Sequence, residues 1–234
     1  MQLRLALLAI FLCSSILLSA QDVEKSTNTT SAIQKASRDF VMLQFTYDAW
    51  RKPDSVRTTG FGRGFNAYVC YDFPLGKSNF SFAAGIGIGT SNIYFNNQEL
   101  ILTDTGAGSQ ARFVTERQDY KKFKLTTAYL EAPFEIRYFG NKDNRNKGFK
   151  SAIGLRIGTL VGAHTKGRRN VEGTKVIDKL NTKRFMENWR LAATARIGWG
   201  NFTIFGAYNL NTVFKVGAGP EVTPYSIGLC ISGL

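Results

Sequence analysis

The chain is poor in cysteine, proline and histidine, with three, five and one among 234 residues. Past its leader it has no run of eighteen consecutive apolar residues. That absence excludes a protein built from membrane-crossing helices. It says nothing against a membrane β-barrel, because alternating strands average out in a hydropathy window, and mean hydropathy here is only −0.14. Cys13 lies in the leader, so Cys70 and Cys230 are too few for a disulfide scaffold. They fall mid-strand on strands that would not be neighbours in a closed ring, and the expectation is two small buried thiols. With one histidine and no His, Cys, Asp or Glu set at ligand spacing, no metal and no cofactor is expected.

What is present begins with an export signal. Met1–Arg4 is a short basic start, Leu5–Leu18 is apolar, and Ser19-Ala20 is a small-residue cleavage site before Gln21. The run is too short for an anchor, and no basic stop-transfer segment follows it. Residues 1–20 are therefore expected to be a cleaved signal peptide. Residues 21–39, rich in Ser, Thr and Asn, are expected to be a flexible periplasmic lead-in. Residues 40–234 are expected to form one domain.

The most ordered pattern in that domain is Trp189–Trp199. Odd positions are apolar (Trp189, Leu191, Ala193, Ala195, Ile197, Trp199) and even positions are polar or small (Arg190, Ala192, Thr194, Arg196, Gly198). That is the two-residue period of a strand. Ten residues at about 3.3 Å each, tilted about 40°, climb roughly 25 Å. This is the height of the apolar band of an outer-membrane barrel, and Trp189 and Trp199 would stand in its two aromatic girdles.

The same spacing predicts strands over Phe40–Trp50, Gly64–Phe73, Phe80–Tyr94, Lys124–Phe139, Lys150–His164, Phe202–Asn211 and Pro224–Leu234. In the fifth, Ile153, Leu155, Ile157, Val161 and Ala163 fall on the apolar face. Connections alternate between long (Arg51–Arg63, Phe95–Phe123, Thr165–Arg184) and short, down to the two-residue Gly200-Asn201. Only Gly140–Phe149 strains the rule, being of medium length. Short periplasmic turns and long extracellular loops give such an alternation when the first strand runs outward.

Alternation does not by itself say which face is inside. A lipocalin-like soluble barrel turns its apolar face inward. Here the polar face is mostly Gly, Ser and Ala with a few charges, which suits a narrow interior, and the apolar face is aliphatic and edged by Tyr and Trp, which suits lipid. The charges on the inner face are Asp48, Asp72, Glu131, Glu135, Arg137, Arg156, Arg190 and Arg196. Four acids facing four arginines inside so narrow a barrel are expected to pair, and to plug it.

Few residues carry chemistry. His164 falls at the outer rim, where barrel enzymes place a histidine near acids, but no acid is close in sequence; Asp104 and Asp178 sit on loops. No catalytic residue is expected. Gly85-Ile86-Gly87-Ile88-Gly89 has the wrong spacing for a dinucleotide fingerprint and no helix after it. The charge is more telling, at a formal net +13. Thr165–Arg184 holds Lys166, Arg168, Arg169, Lys175, Lys179, Lys183 and Arg184 against Glu172 and Asp178. Such a loop is a candidate binder of lipopolysaccharide phosphates, with a merely solvated loop as the bland alternative. Nucleic acid is excluded by export.

Tyr129-Leu130-Glu131-Ala132-Pro133-Phe134-Glu135-Ile136-Arg137-Tyr138 resembles the Tyr-Leu-Glu-x-Pro strand of the PorT-like outer-membrane β-barrel family. The closing Tyr225-Ser226-Ile227-Gly228-Leu229 is similar too. The resemblance implies an integral outer-membrane protein of a Gram-negative cell and brings no catalytic residues. Some members of that family serve type IX protein secretion. Pro133 has no amide to give to a sheet, so a bulge is expected there. The sequence as a whole reads as an all-β chain, a monomeric eight-stranded antiparallel transmembrane barrel with a structural or envelope-associated role and no catalysis. Two alternatives stay open: a component of a type IX-like secretion apparatus, with secretion proteins as partners, and a narrow channel for small solutes.

Overall fold

A computed structural model describes residues 40–103, 105–106, 108–141 and 144–233. The expected signal peptide and lead-in, and Asp104, lie outside the described residues. The strands are β1 (Val41–Arg51), β2 (Thr58–Pro74), β3 (Phe80–Phe95), β4 (Gln98–Ile101), β5 (Arg112–Thr115), β6 (Lys122–Phe139), β7 (Phe149–Val171), β8 (Thr174–Asn181), β9 (Trp189–Trp199), β10 (Phe202–Asn209) and β11 (Thr223–Ser232). No helix occurs among the described residues.

Eight strands close a ring in the order β1, β2, β3, β6, β7, β9, β10, β11, and β11 pairs back onto β1. Every pairing is antiparallel and joins ring neighbours that follow one another in the chain, apart from the closing pair. The fold is therefore an all-β, eight-stranded antiparallel barrel. Its alternation is inside-out relative to a soluble protein. Ile86, Ile153, Ile204 and Leu229 stand exposed on the outside, while Arg137, Arg156, Glu131 and Glu135 are buried within. On β9 the exposed face starts at Trp189 and ends at Trp199, with Arg190, Ala192 and Arg196 buried behind it.

The remaining strands rise from the long-loop end. β4 and β5 form their own hairpin within the connection between β3 and β6. The upper half of β7 stays paired with β6 on one side and exchanges β9 for β8 on the other, Lys166 opposite Lys179 and Arg168 opposite Ile177. The alternation rule hides these pieces because they have no lipid to face.

A bulge sets the phase of the upper β6–β7 ladder. Tyr129 pairs with Leu160 but Ala128 pairs with Gly162, so Val161 is the extra residue. Bulges re-aim side chains. Below this one, Ile153, Leu155 and Ile157 face outward; above it, Ala163 and Thr165 are buried and the even residues turn out. The expected outward position of Ala163 is thus corrected. Pro133 needs no bulge. It pairs in register with Arg156, and on its other side the ladder to β3 lapses between Ala84–Phe134 and Gly87–Glu131 without a shift.

Candidate functional site

The interior is filled in layers. At mid-height Glu131 is the hub. Tyr68 Oη donates to its Oε2 at 2.5 Å, Arg190 Nη1 lies 3.0 Å from Oε1, and Arg156 Nη1 lies 3.5 Å from Oε2. The Arg156 guanidinium also sits 5.1 Å from the Tyr68 ring and 5.3 Å from the Phe205 ring, and its Nη2 donates to Gln44 at 3.0 Å. The rings on either side hold a cation that would otherwise be costly to bury. Beside this hub Asp48 accepts from Thr46 Oγ1 at 2.7 Å.

Toward the short-turn end Glu135 takes Arg137 Nε at 2.7 Å and Arg196 Nη2 at 3.0 Å. Arg137 continues to Asp72 at 2.8 Å. All eight of the charges named from the sequence are buried, and these contacts bring seven of them into ion pairs. Two further cations join them, one on a loop that has no alternation and one at the foot of β7 on the same parity as Arg156. Arg145, on the connection of medium length, turns in to reach Asp72 at 3.3 Å and stacks 4.8 Å from the Phe139 ring. Lys150 is buried beside it, 5.7 Å from the same ring. The connection that looked too long for a turn is the floor of the barrel. Cys70 and Cys230 are buried free thiols in a smaller apolar cluster with Met42, Tyr68 and Phe205.

The long-loop end is closed by an apolar cap. Leu100, Leu102 and Ala111 from the β3–β6 connection pack with Trp50, Val56, Phe95, Phe214 and Val222. The Phe95 ring lies 5.1 Å from Phe113 and 5.6 Å from Trp50. Between cap and hub is a cavity of about 20 Å³ lined by Trp50, Ile93, Tyr129, Arg190 and Asn209. That is the space of one water molecule.

The seven basic residues of the candidate anion-binding loop do not form one cluster. Lys166, Arg168, Lys175 and Lys179 share the outward face of the β7–β8 hairpin. Arg169 points to the other face, pairing with Asp178 at 2.9 Å and donating to Gln118 at 2.7 Å. Lys183 Nζ donates to the Leu160 carbonyl at 3.4 Å, and Arg184 stacks on Phe185 at 4.8 Å. Asp178 also accepts from Tyr120 Oη at 2.9 Å; burial, and then this bond, push the Tyr120 hydroxyl up to about 12. Asp178 therefore does not approach His164, which lies on the outward face opposite Thr126 and Asn181.

The bulge at Val161 also reveals cations that the sequence reading passed over. Lys124 pairs with Lys166, and Lys122 with Arg168, so β6 adds to the outward basic face. Their proximity in space depends on the register, which charge counts along the chain do not reveal.

Trp189 and Trp199 are 63% and 68% exposed at opposite ends of β9. Among solved structures the chain is similar to Ail, the attachment invasion locus protein of Yersinia pestis. In complex with the heparin analogue sucrose octasulfate, that protein is 12% identical, with 82% of this chain and 96% of that chain covered and a TM-score of 0.36. A second structure of Ail is 13% identical, with 84% of this chain and 99% of that chain covered and a TM-score of 0.34. A mutant porin of Rh. blastica is 7% identical, with 82% and 98% covered and a TM-score of 0.21. No curated protein matches the sequence. A family model does match, over residues 27–215, and by it the chain belongs to the outer membrane protein beta-barrel domain family.

Proposed function

We propose that the protein is a structural, non-catalytic and non-conducting barrel of the outer membrane, whose loop end presents cations to the phosphates of lipopolysaccharide. The observation that carries this is the filled interior. From the Arg145–Asp72 floor through the Glu131 hub to the cap, side chains occupy the lumen, and the cavity beneath the cap measures about 20 Å³. Eight-stranded barrels leave room for side chains and little else. Opening a path would require separating buried ion pairs at mid-height, at a cost of several kcal/mol each (about 3–5). The narrow-channel reading therefore lacks a path.

The surface reading rests on Lys166, Arg168, Lys175 and Lys179, which face outward on a hairpin above the lipid band. None of the four has an ion-pair partner among the described residues. Planar-bilayer recording of the purified, folded barrel tests the first half. The expected result is no unitary conductance; reproducible steps would overturn it in favour of a channel. Thermal unfolding with and without lipopolysaccharide tests the second half. Stabilisation that fades as salt rises is expected, and the same midpoint with and without the glycolipid would overturn it.

A further inference from the structure

On the outer wall, with β3 and β6 between it and the basic hairpin, β2 breaks register. Thr59 pairs with Tyr94, and the next pair is Arg63 with Asn92, so Gly60, Phe61 and Gly62 stand opposite Ile93 alone. Gly60 takes φ +67°, which glycine adopts without strain. Gly62 faces inward, where an added Cβ would fall 2.0 Å from the Asp48 carbonyl oxygen. The arch throws Phe61 outward, 59% exposed, with its ring 4.7 Å from that of Tyr47. Two glycines thus lift one aromatic and one arginine away from the barrel wall.

The space under the arch is a cleft of about 360 Å³ between β2, the end of β3 and the start of β6. Its lining includes Phe61, Arg63, Tyr94, Lys121 and Lys122, and no carboxylate. Arg63, Lys121 and Lys122 have no ion-pair partner among the described residues. Lys124 borders it and is held in place, with Nζ 2.6 Å from Asn92 Oδ1 and 5.8 Å from the Tyr94 ring centre. Directly across the sheet follow Lys166 and Lys179. Like charges set opposite one another destabilise a sheet, and a multiply charged anion bridging them removes that cost. A cleft of this size with aromatic walls and a few convergent charges fits a small polar headgroup.

Its height says which headgroup. On β6 the outward residues run Ile136, Phe134 and Leu130, all exposed and apolar, then Ala128, Thr126, Lys124 and Lys122. From Leu130 to Lys124 at the edge of the cleft and Lys122 in its lining the strand climbs about 15–20 Å. A phospholipid headgroup layer is only roughly 5–8 Å deep on each side. A glycolipid that carries its phosphates on sugars reaches the cleft from the membrane; a phospholipid does not. Resting on the surface reading above, we infer that this cleft is a binding site for the phosphorylated sugar headgroup of the outer-leaflet glycolipid. Arg63, Lys121, Lys122 and Lys124 take the phosphates, and the faces of Phe61 and Tyr94 pack on the sugar ring.

The test uses the full-length folded barrel in detergent, titrated with bisphosphorylated lipid A, with its monophosphorylated form, with phosphatidylglycerol and with free glucosamine 1-phosphate. The variants are Arg63→Ser with Lys122→Ser in the cleft, Lys122→Gln alone, and Lys77→Ser with Lys147→Ser, exposed at the opposite, short-turn end of the barrel, as a control. All these side chains are solvent-facing, and unboiled gel mobility checks that each variant folds. The inference expects lipid A to bind more tightly than its monophosphorylated form, and phosphatidylglycerol and the free sugar phosphate to bind weakly. It expects the cleft pair to weaken lipid A binding by about tenfold or more, Lys122→Gln by less, and the control pair to leave it unchanged. Equal binding of phosphatidylglycerol, or tightest binding of the free sugar phosphate, would overturn the glycolipid assignment. If wild type binds lipid A and the cleft pair binds it equally well, the cleft is wrong and the hairpin surface stands. No lipid A binding by wild type overturns both.

Discussion

Arg145 meets Asp72 from a loop rather than from a strand, Nη1 to Oδ2 at 3.3 Å, and Arg137 meets the same carboxylate at 2.8 Å from within the sheet. One buried acid thus ties the floor of the barrel to its wall. Asp72→Ala leaves two buried guanidiniums facing each other and is expected to lower the unfolding free energy by about 3–5 kcal/mol. Arg145→Ala keeps the Arg137 pair and is expected to cost less. Urea unfolding of the two variants in lipid vesicles measures both, and an equal loss would contradict this division of roles.

The glycines of β3 line the inner wall because the ladder leaves nothing for a side chain there. A Cβ at Gly87 would lie 2.0 Å from the Ala67 carbonyl oxygen and 2.6 Å from Tyr68 Cδ1. Gly87→Ala is expected to cost about 1–3 kcal/mol or to prevent folding outright. Gly162→Ala, where no atom lies within 4 Å, is the control. The fraction of folded, fast-migrating protein on an unboiled gel decides it; normal folding of Gly87→Ala would refute the tight packing.

The chain has three tryptophans, and their surroundings differ. Trp189 and Trp199 are exposed at the two ends of β9, whereas Trp50 is buried in the cap. In single-tryptophan variants, lipids brominated at shallow positions are expected to quench Trp189 and Trp199 and to leave Trp50 bright. Quenching of Trp50 as strong as that of the other two would mean that the cap is open to lipid.

Tyr120 joins the β3–β6 connection to the β7–β8 hairpin through Asp178. Its hydroxyl is raised to about 12, against an ordinary value near 10. A group whose pKa is raised by folding contributes stability fully present below pH 10 and lost as pH climbs through 12. The tyrosinate absorbance difference between wild type and Tyr120→Phe is therefore expected to titrate near pH 12. A transition near pH 10 would show that the Asp178 contact is not made in solution.

The eight ring strands were legible wherever lipid imposes alternation, and β9 begins and ends at the two tryptophans that the spacing marked. Legibility fails above the lipid band. β4, β5 and β8 have no lipid to face, although Leu100, Phe113 and Leu180 turn to the cap, and β2 starts at Thr58, six residues before its apolar period begins at Gly64. One extra residue, Val161, reverses the phase of β7, and that reversal alone decides whether Lys166 and Arg168 look in or out. The inner charges could be named from their parity. Arg145 could not, because a turn has no parity, and Lys122 and Lys124 became part of a basic face only through pairing with β7.

Among the described residues β8 has a partner on one side only. Within the bilayer the closed ring leaves no backbone amide or carbonyl row uncovered, but above it this strand does, and an uncovered row is a template for a second chain. The strand is eight residues long and carries Lys175 and Lys179. Short length and repeated lysine are the means by which sheets avoid edge-to-edge association. The same lysines that would attract an anion thus keep one copy from zipping onto the next in a crowded membrane, where all copies share an orientation and meet side by side.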